Sequence, residues 1–162
     1  MPTADWQLAI RDAVVGDQPV IVEFNRLLAL ETEQKILDPS VLTRGVEKAL
    51  GDPRRLRYWL AVARFSDTAT AIGQTAVSYE WSDWRDGWIW WLQSVYVRPQ
   101  FRGQGVFKAL YRHVCREAKA QGDVVGLRLY VENQNRHAQE TYASLGMKPG
   151  GYLVLEDYQM DG

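Results

Sequence analysis

The sequence predicts one α/β domain over residues 1–162, built on a mixed sheet in the order β-α-α-β-β-β-α-β-α-β. Three observations predict it. Hydrophobic spacing switches repeatedly between the helical period of 3.6 and the strand period of 2. The stretch WIWWLQSVYV is apolar on both faces, as a central strand is. Two helical stretches each follow a strand and close on glycine, at Gly122 and Gly146.

Each element has a local reason. Trp6 to Ala13 is a short apolar strand. Asp17 then reads as an N-cap, with Pro19 in the first turn of a helix whose broad face carries Ile21, Phe24, Leu27 and Leu28. ETEQK reads as the end of that helix or a loop. A second helix follows Asp38-Pro39, carries Val41, Leu42, Val46, Ala49 and Leu50, and stops at Gly51. From Tyr58 the pattern turns to strands: YWLAVARF, a turn at Ser66-Asp67, AIGQTAVSYEW, a turn from Ser82 to Gly87, then WIWWLQSVYV. Pro99 ends this third strand of the run, because proline cannot donate to a ladder. Helix spacing of Val106, Leu110, Val114 and Ala118 follows from about Gly105 to Ala120. GLRLYV is a further strand, Asn135 to Leu145 a further helix, and YLVLEDYQM a last strand.

Composition bounds the function. Nineteen Lys and Arg stand against 20 Asp and Glu, a net charge of −1. Nucleic-acid and membrane-surface proteins usually carry a basic excess, so neither partner is expected. The first residues lack a basic segment followed by a long apolar one, and no run approaches the roughly 18 apolar residues of a membrane span. The single cysteine, Cys115, falls in a helical pattern with no nucleophile partners nearby in sequence, and reads as a small buried hydrophobe. A soluble cytoplasmic domain without a metal site is expected.

Residues 98–107, RPQFRGQGVF, carry the chemistry. Two glycines stand where a strand hands over to a helix, whose N-terminal N–H groups and partial positive charge attract anions. Glycine lets the backbone approach a phosphate and adopt positive φ, and Arg102 adds a charge-assisted donor. An ordinary turn is equally consistent with the glycines alone. A dinucleotide fingerprint needs a third glycine where Lys108 stands, and a nucleoside-triphosphate loop is absent. The second signal is LYVENQNRHAQETYASLGM, where Asn135, Ala138, Tyr142 and Gly146 line one helix face. Taken alone, that is an amphipathic helix with a capping Asn and a half-buried Tyr.

Together, the two segments resemble the GNAT superfamily of acyl-CoA-dependent N-acetyltransferases. Its pyrophosphate loop, Q/R-x-x-G-x-G/A, matches Gln100, Gly103 and Gly105. Its later signature, L-x-V-x-x-x-N-x-x-A-x-x-x-Y-x-x-x-G-F, matches Leu129, Val131, Asn135, Ala138, Tyr142 and Gly146, with Met147 for the usual Phe. One departure is Phe107, where many members carry a further glycine. The resemblance implies a mostly antiparallel sheet with splayed fourth and fifth strands and helices on both faces.

It also implies roles. Acetyl-CoA is the co-substrate and lies between the splayed strands. Backbone groups of Val95, Tyr96 and Val97 bond its pantetheine arm, and N–H groups of Arg102, Gly103, Gln104, Gly105, Val106 and Phe107 hold its pyrophosphate. Asn135 and Ala138 contact the bound chain from the next helix. Val95 N–H is the expected oxyanion donor, and Tyr142 the acid that protonates the departing sulfur. The base is less legible: family carboxylates on the fourth strand are replaced by Leu92-Gln93-Ser94, leaving Glu80 and Glu132 as the nearest candidates. A water-mediated base, or an amine arriving neutral, fits equally.

Five of the seven tryptophans fall in EWSDWRDGWIWW. Trp90 and Trp91 read as core. Trp81, Trp84 and Trp88, which flank the turn and are interleaved with Glu80, Asp83 and Asp86, are expected to form an aromatic, acidic rim for a cationic amine, with Gln93 and Glu132 also on the acceptor side. The expected partner is a small-molecule amine. A non-catalytic acyl-CoA-binding module, or an acetyltransferase for a protein or peptide amine, is the alternative. A homodimer and a monomer are both open.

Overall fold

Residues 57–97 lay down three consecutive antiparallel strands because β-branched and aromatic side chains alternate along them, interrupted by Ser66-Asp67 and by the 82–87 turn. The computed structural model describes residues 5–159. The strands are β1 (Gln7–Asp12), β2 (Arg57–Arg64), β3 (Ala69–Ser82), β4 (Gly87–Val97) and β5 (Val124–Leu129). They form one sheet in the order β1-β2-β3-β4-β5. Every neighbouring pair is antiparallel except β4–β5, which is parallel and joined through a helix.

The helices are α1 (Gln18–Glu33), α2 (Pro39–Gly51), α3 (Val106–Gln121) and α4 (Arg136–Ser144). Backbone contacts divide the chain into two compact units, 1–130 and 131–162. The first holds the whole sheet with α1, α2 and α3; the second holds α4.

In the first unit the pleat sends alternate residues to opposite faces. Tyr58, Leu60, Val62, Ala76 and Tyr96 pack with Ile21 and Phe24 of α1 and with Val46 and Ala49 of α2. Trp59, Val77, Trp90 and Leu92 pack with Val114 and Ala118 of α3. Ala61, Ala63, Ile72 and Val97 pack with Val106 and Leu110 of the same helix. Helices therefore cover both faces of the sheet, as expected. Each fully buried large side chain contributes about 1.5–3 kcal/mol, so truncating Phe24 to Ala would cost about 3–5 kcal/mol.

Helix ends follow their caps. Asp38 accepts from the N–H groups of Ser40 at 2.8 Å and Val41 at 3.0 Å, starting α2. Gly122 closes α3 with φ of 84°. Asp17 departs from the expected cap: it makes no side-chain bond to α1. Its carboxylate instead accepts from Arg11 at 2.7 and 2.8 Å and from Val14 N–H at 2.8 Å. The Arg11 bond, together with the Val14 N–H, holds that carboxyl below the usual range.

In the second unit Asn135 caps α4, accepting from Ala138 N–H at 3.1 Å. Gly146, with φ of 92°, ends it, and Met147 N–H returns to the Tyr142 carbonyl at 3.1 Å. The expected last strand, YLVLEDYQM, does not form among the described residues: 152–159 are neither helix nor strand, and Met160 lies outside them. Leu153, Leu155 and Tyr158 are exposed. Alternation marks a segment as strand-compatible, but a ladder needs a neighbour, and α4 is the one regular element described in this unit.

Candidate active site

The irregular point of the sheet is in β4. Gln74 pairs with Tyr96 and Ala76 with Gln93, so Thr75 faces both Ser94 and Val95. That two-against-one arrangement is a β-bulge, which leaves a residue without a ladder partner and re-aims the strand. Ser94 absorbs it with φ of 52°, a left-handed conformation unusual for a residue with a side chain. On the other edge, β4 pairs with β5 from Trp88 to Leu92, and β5 ends at Leu129. Residues 93–97 of β4 therefore run on past the end of the β5 ladder. This one-sided overhang of β4 stands where the splay is expected. It leaves the backbone of Val95, Tyr96 and Val97 as an edge to which an extended, amide-bearing chain can add.

A buried polar chain stands behind the bulge. Gln74 is fully buried; its side-chain amide donates to the Ser94 carbonyl at 3.0 Å and to Asn25 Oδ1 at 2.8 Å. Asn25, on α1, donates in turn to the Tyr58 hydroxyl at 3.4 Å.

β4 leads directly into the glycine loop. Arg98 N–H donates to Ile72 O at 2.8 Å, and Pro99–Phe101 form a 3₁₀ turn. Gly103 and Gly105 have φ of 74° and 82°, with open space where a Cβ would stand. The first bond of α3 runs from Ala109 N–H to Gly105 O at 3.0 Å, so the donors of the opening turn point out of the helix end. Positive φ, open space and outward N–H groups suit a pyrophosphate.

One residue of the loop differs from expectation. Arg102 is already engaged: its Nη2 lies 2.6 Å from Glu31 Oε2, its Nε donates to Val97 O at 2.8 Å, and its backbone N–H donates to Pro99 O at 3.2 Å. Its guanidinium fastens the loop to α1, so the loop's donors toward an anion come from Gly103 onward. The Phe107 ring packs on the sheet beside Val106 and Leu110 and tilts against Tyr111 with centroids 6.2 Å apart. It occupies the hydrophobic layer under α3.

The acceptor-side residues are only partly brought together. Glu80 and Gln93 share the sheet face that carries Ser78 and Trp91: Gln93 donates to the Ser78 hydroxyl, and Trp91 Nε1 donates to Glu80 at 2.6 Å. Arg128 lies 3.3 Å from the other Glu80 oxygen, and the Trp91 ring stacks on Tyr130 at 4.6 Å. Trp81 lies on the opposite face, edge-on to Trp88 at 5.1 Å. Trp84 sits in the turn, 86% exposed. Glu132 belongs to the second unit, where it accepts from Gln134 N–H at 2.8 Å. The aromatic, acidic rim is therefore not assembled as one surface, because neighbouring residues of a strand point to opposite faces.

In the second unit, Asn135, Ala138 and Tyr142 lie along α4, with Asn135 as its cap and Tyr142 partly buried. Burial pushes the Tyr142 phenol up from its ordinary value. Among the described residues no group of three His, Cys, Asp or Glu side chains gathers to hold a metal, and no helix is long and apolar enough to cross a membrane.

Sequence patterning alone gives Gln74, Asn25 and Ser94 no site role. The available signal was a polar Gln inside AIGQTAV, among residues that are otherwise buried and mostly apolar.

Comparison with known proteins adds the lineage. The profile of the Acetyltransferase (GNAT) family matches residues 23–147. The bovine (Bos taurus) protein named thialysine N-epsilon-acetyltransferase is 28% identical over 143 residues, 85% of this chain and 82% of that protein. A crystal structure of a possible acetyltransferase from Clostridium difficile 630 is 41% identical, with a TM-score of 0.82 over 93% of this chain and 96% of that one. The aminoglycoside N-acetyltransferase AAC(6')-Iy, crystallised with CoA, shares the fold at 19% identity and a TM-score of 0.74, covering 98% of this chain and 99% of that chain.

Proposed function

The chain belongs to the GNAT family of acetyltransferases and is an acetyl-CoA-dependent N-acetyltransferase, and from that premise we propose that it acetylates the primary amine of a small molecule by direct attack in a ternary complex. The observation that carries the reading is the bulge at Ser94–Val95, on a strand whose edge runs past β5 and straight into a two-glycine helix start.

In this reading the backbone edge from Val95 to Val97 pairs with the pantetheine arm, and the N–H groups from Gly103 to Phe107 hold the pyrophosphate. Val95 N–H receives the acetyl oxygen as it gains charge, where a fixed donor is worth most. The amine nitrogen forms the new C–N bond, the C–S bond breaks, and the departing sulfur takes the Tyr142 proton. The amine gives up its surplus proton to solvent, and solvent returns a proton to Tyr142. A phenol raised by burial stays protonated throughout the neutral range, as an acid requires. The parts assigned to Asn135, Ala138 and Tyr142 rest on the sequence signature and the helix it forms.

Glu80, with both oxygens engaged by Trp91 and Arg128, suits a fixed negative charge on the acceptor side better than a proton acceptor. Gln93 shares that face. A small amine as acceptor is supported by the name of the bovine relative, thialysine N-epsilon-acetyltransferase.

The test is CoA release from acetyl-CoA across polyamines, amino acids, amino sugars, arylamines and peptide N-termini. Turnover on a free small amine is the expected result. Turnover confined to peptide N-termini would replace the small-molecule reading with a peptide one. Acetyl-CoA binding without turnover on any acceptor would make the chain a binding module.

A further inference from the structure

We propose that Gln74 is a positioning residue for acetyl transfer: its buried amide holds the Ser94 carbonyl, and through it the bulge that presents Val95 N–H. The inference rests on the reading of Val95 given above.

The geometry is specific. Gln74 lies on β3 opposite Tyr96, one residue beyond the bulge, and its side chain points to the face covered by α1. Both hydrogens of the amide are used, one on Ser94 O and one on Asn25 Oδ1. Asn25 is itself buried and donates to Tyr58, which is 5% exposed. A relay from β2 through α1 and β3 thus ends on the carbonyl of the one residue in β4 with positive φ.

Stability alone does not account for a glutamine here. The neighbours on its strand face and beneath it include Phe24, Ala76 and Tyr96, and an apolar side chain would pack among them without a polar group to satisfy. Among the described residues, Gln74 Oε1 is buried with no hydrogen-bond partner. A buried amide left partly unsatisfied is costlier than an apolar residue of the same shape. What the amide does supply is direction. A Ser in the left-handed region relaxes toward regular strand geometry unless its neighbours hold it. Relaxation would turn the 94–95 peptide, and with it the N–H of Val95.

The experiment compares the unaltered enzyme with Gln74→Met, which keeps length but removes both donors, and with Asn25→Leu, which removes the outer anchor. For each, kcat, KM for acetyl-CoA, the Kd for CoA and the thermal midpoint are measured. The Val95 amide resonance is followed by NMR with CoA and with acetyl-CoA. The expected result is a fall in kcat of about 10- to 100-fold, somewhat less than complete loss of an oxyanion donor. KM and Kd stay within about twofold, and the shift of the Val95 resonance between CoA and acetyl-CoA collapses. If Gln74→Met does not fold, Asn25→Leu decides by the same measures. Unchanged kcat in a folded variant overturns the proposal alone, as does a parallel loss of kcat, CoA affinity and thermal midpoint. No turnover by the unaltered protein overturns the functional reading, and this inference with it.

Discussion

Arg102 Nη2 stands 2.6 Å from Glu31 Oε2, joining the glycine loop to the last turn of α1 across 71 residues of sequence. The same guanidinium lies over the Tyr96 ring at 5.5 Å, and Tyr96 donates to the other Glu31 oxygen at 3.3 Å. The latch is half-exposed on both sides, so its direct worth is small, about 0.2–1 kcal/mol. Its effect is on the shape of the loop. Glu31→Ala is expected to raise the Kd for CoA several-fold, leaving kcat at saturating acetyl-CoA within about twofold of the parent. Calorimetric titration with CoA and initial rates check this, and an unchanged Kd would dismiss the latch.

Gly105 tests the cradle itself. A Cβ there meets open space, so Gly105→Ala has no steric clash inside the protein. Its cost is the left-handed backbone, about 1–2 kcal/mol, and the loss of close approach to a phosphate. CoA affinity should fall by at least about a hundredfold, about 2.8 kcal/mol, which exceeds the change of about 1–2 kcal/mol expected in urea stability. Equal losses in both would make Gly105 a turn residue only.

Tyr142→Phe removes one hydroxyl from α4. A general acid is worth about 10²–10⁴-fold in rate, so kcat should drop by that order with acetyl-CoA affinity nearly intact. Because burial raises the phenol, the acid-dependent rate should persist as pH climbs past the ordinary tyrosine value and fall only above it. A variant that turns over at the parent rate removes Tyr142 from the mechanism.

Asp17 gives a pH prediction for stability. Its carboxyl is lowered in the folded state by the Arg11 bond, so its contribution is complete above the ordinary Asp value. That contribution disappears as pH falls through the lowered value. Asp17→Asn should cost about 1 kcal/mol at pH 7 and flatten the decline of stability on the acid side. Urea unfolding at pH 7, 4 and 3 measures both, and parallel acid slopes for the two proteins would refute the linkage.

Among the described residues, the helices and the five sheet strands fall within a residue or two of the sequence reading, because their signals are local. Asp38-Pro39 starts α2, Pro99 ends β4, and Gly122 and Gly146 close α3 and α4 by backbone chemistry confined to a few positions. The last strand is absent from the described residues for the complementary reason: YLVLEDYQM has strand alternation, but pairing belongs to a neighbour that its own residues cannot supply.

The candidate site divides along the same line. The sequence by itself determined the two-glycine helix start, the Asn135–Tyr142 helix face and, through them, the family. Tertiary structure alone decided that Ser94 and Val95 share one partner, that Gln74 holds the bulge, and that Glu31 claims Arg102. It also separated Trp81 from Glu80, neighbours in sequence that point to opposite faces of the sheet. Propensity and capping act over one turn of chain, whereas register, bulge position and ion pairing depend on which distant segments pack together.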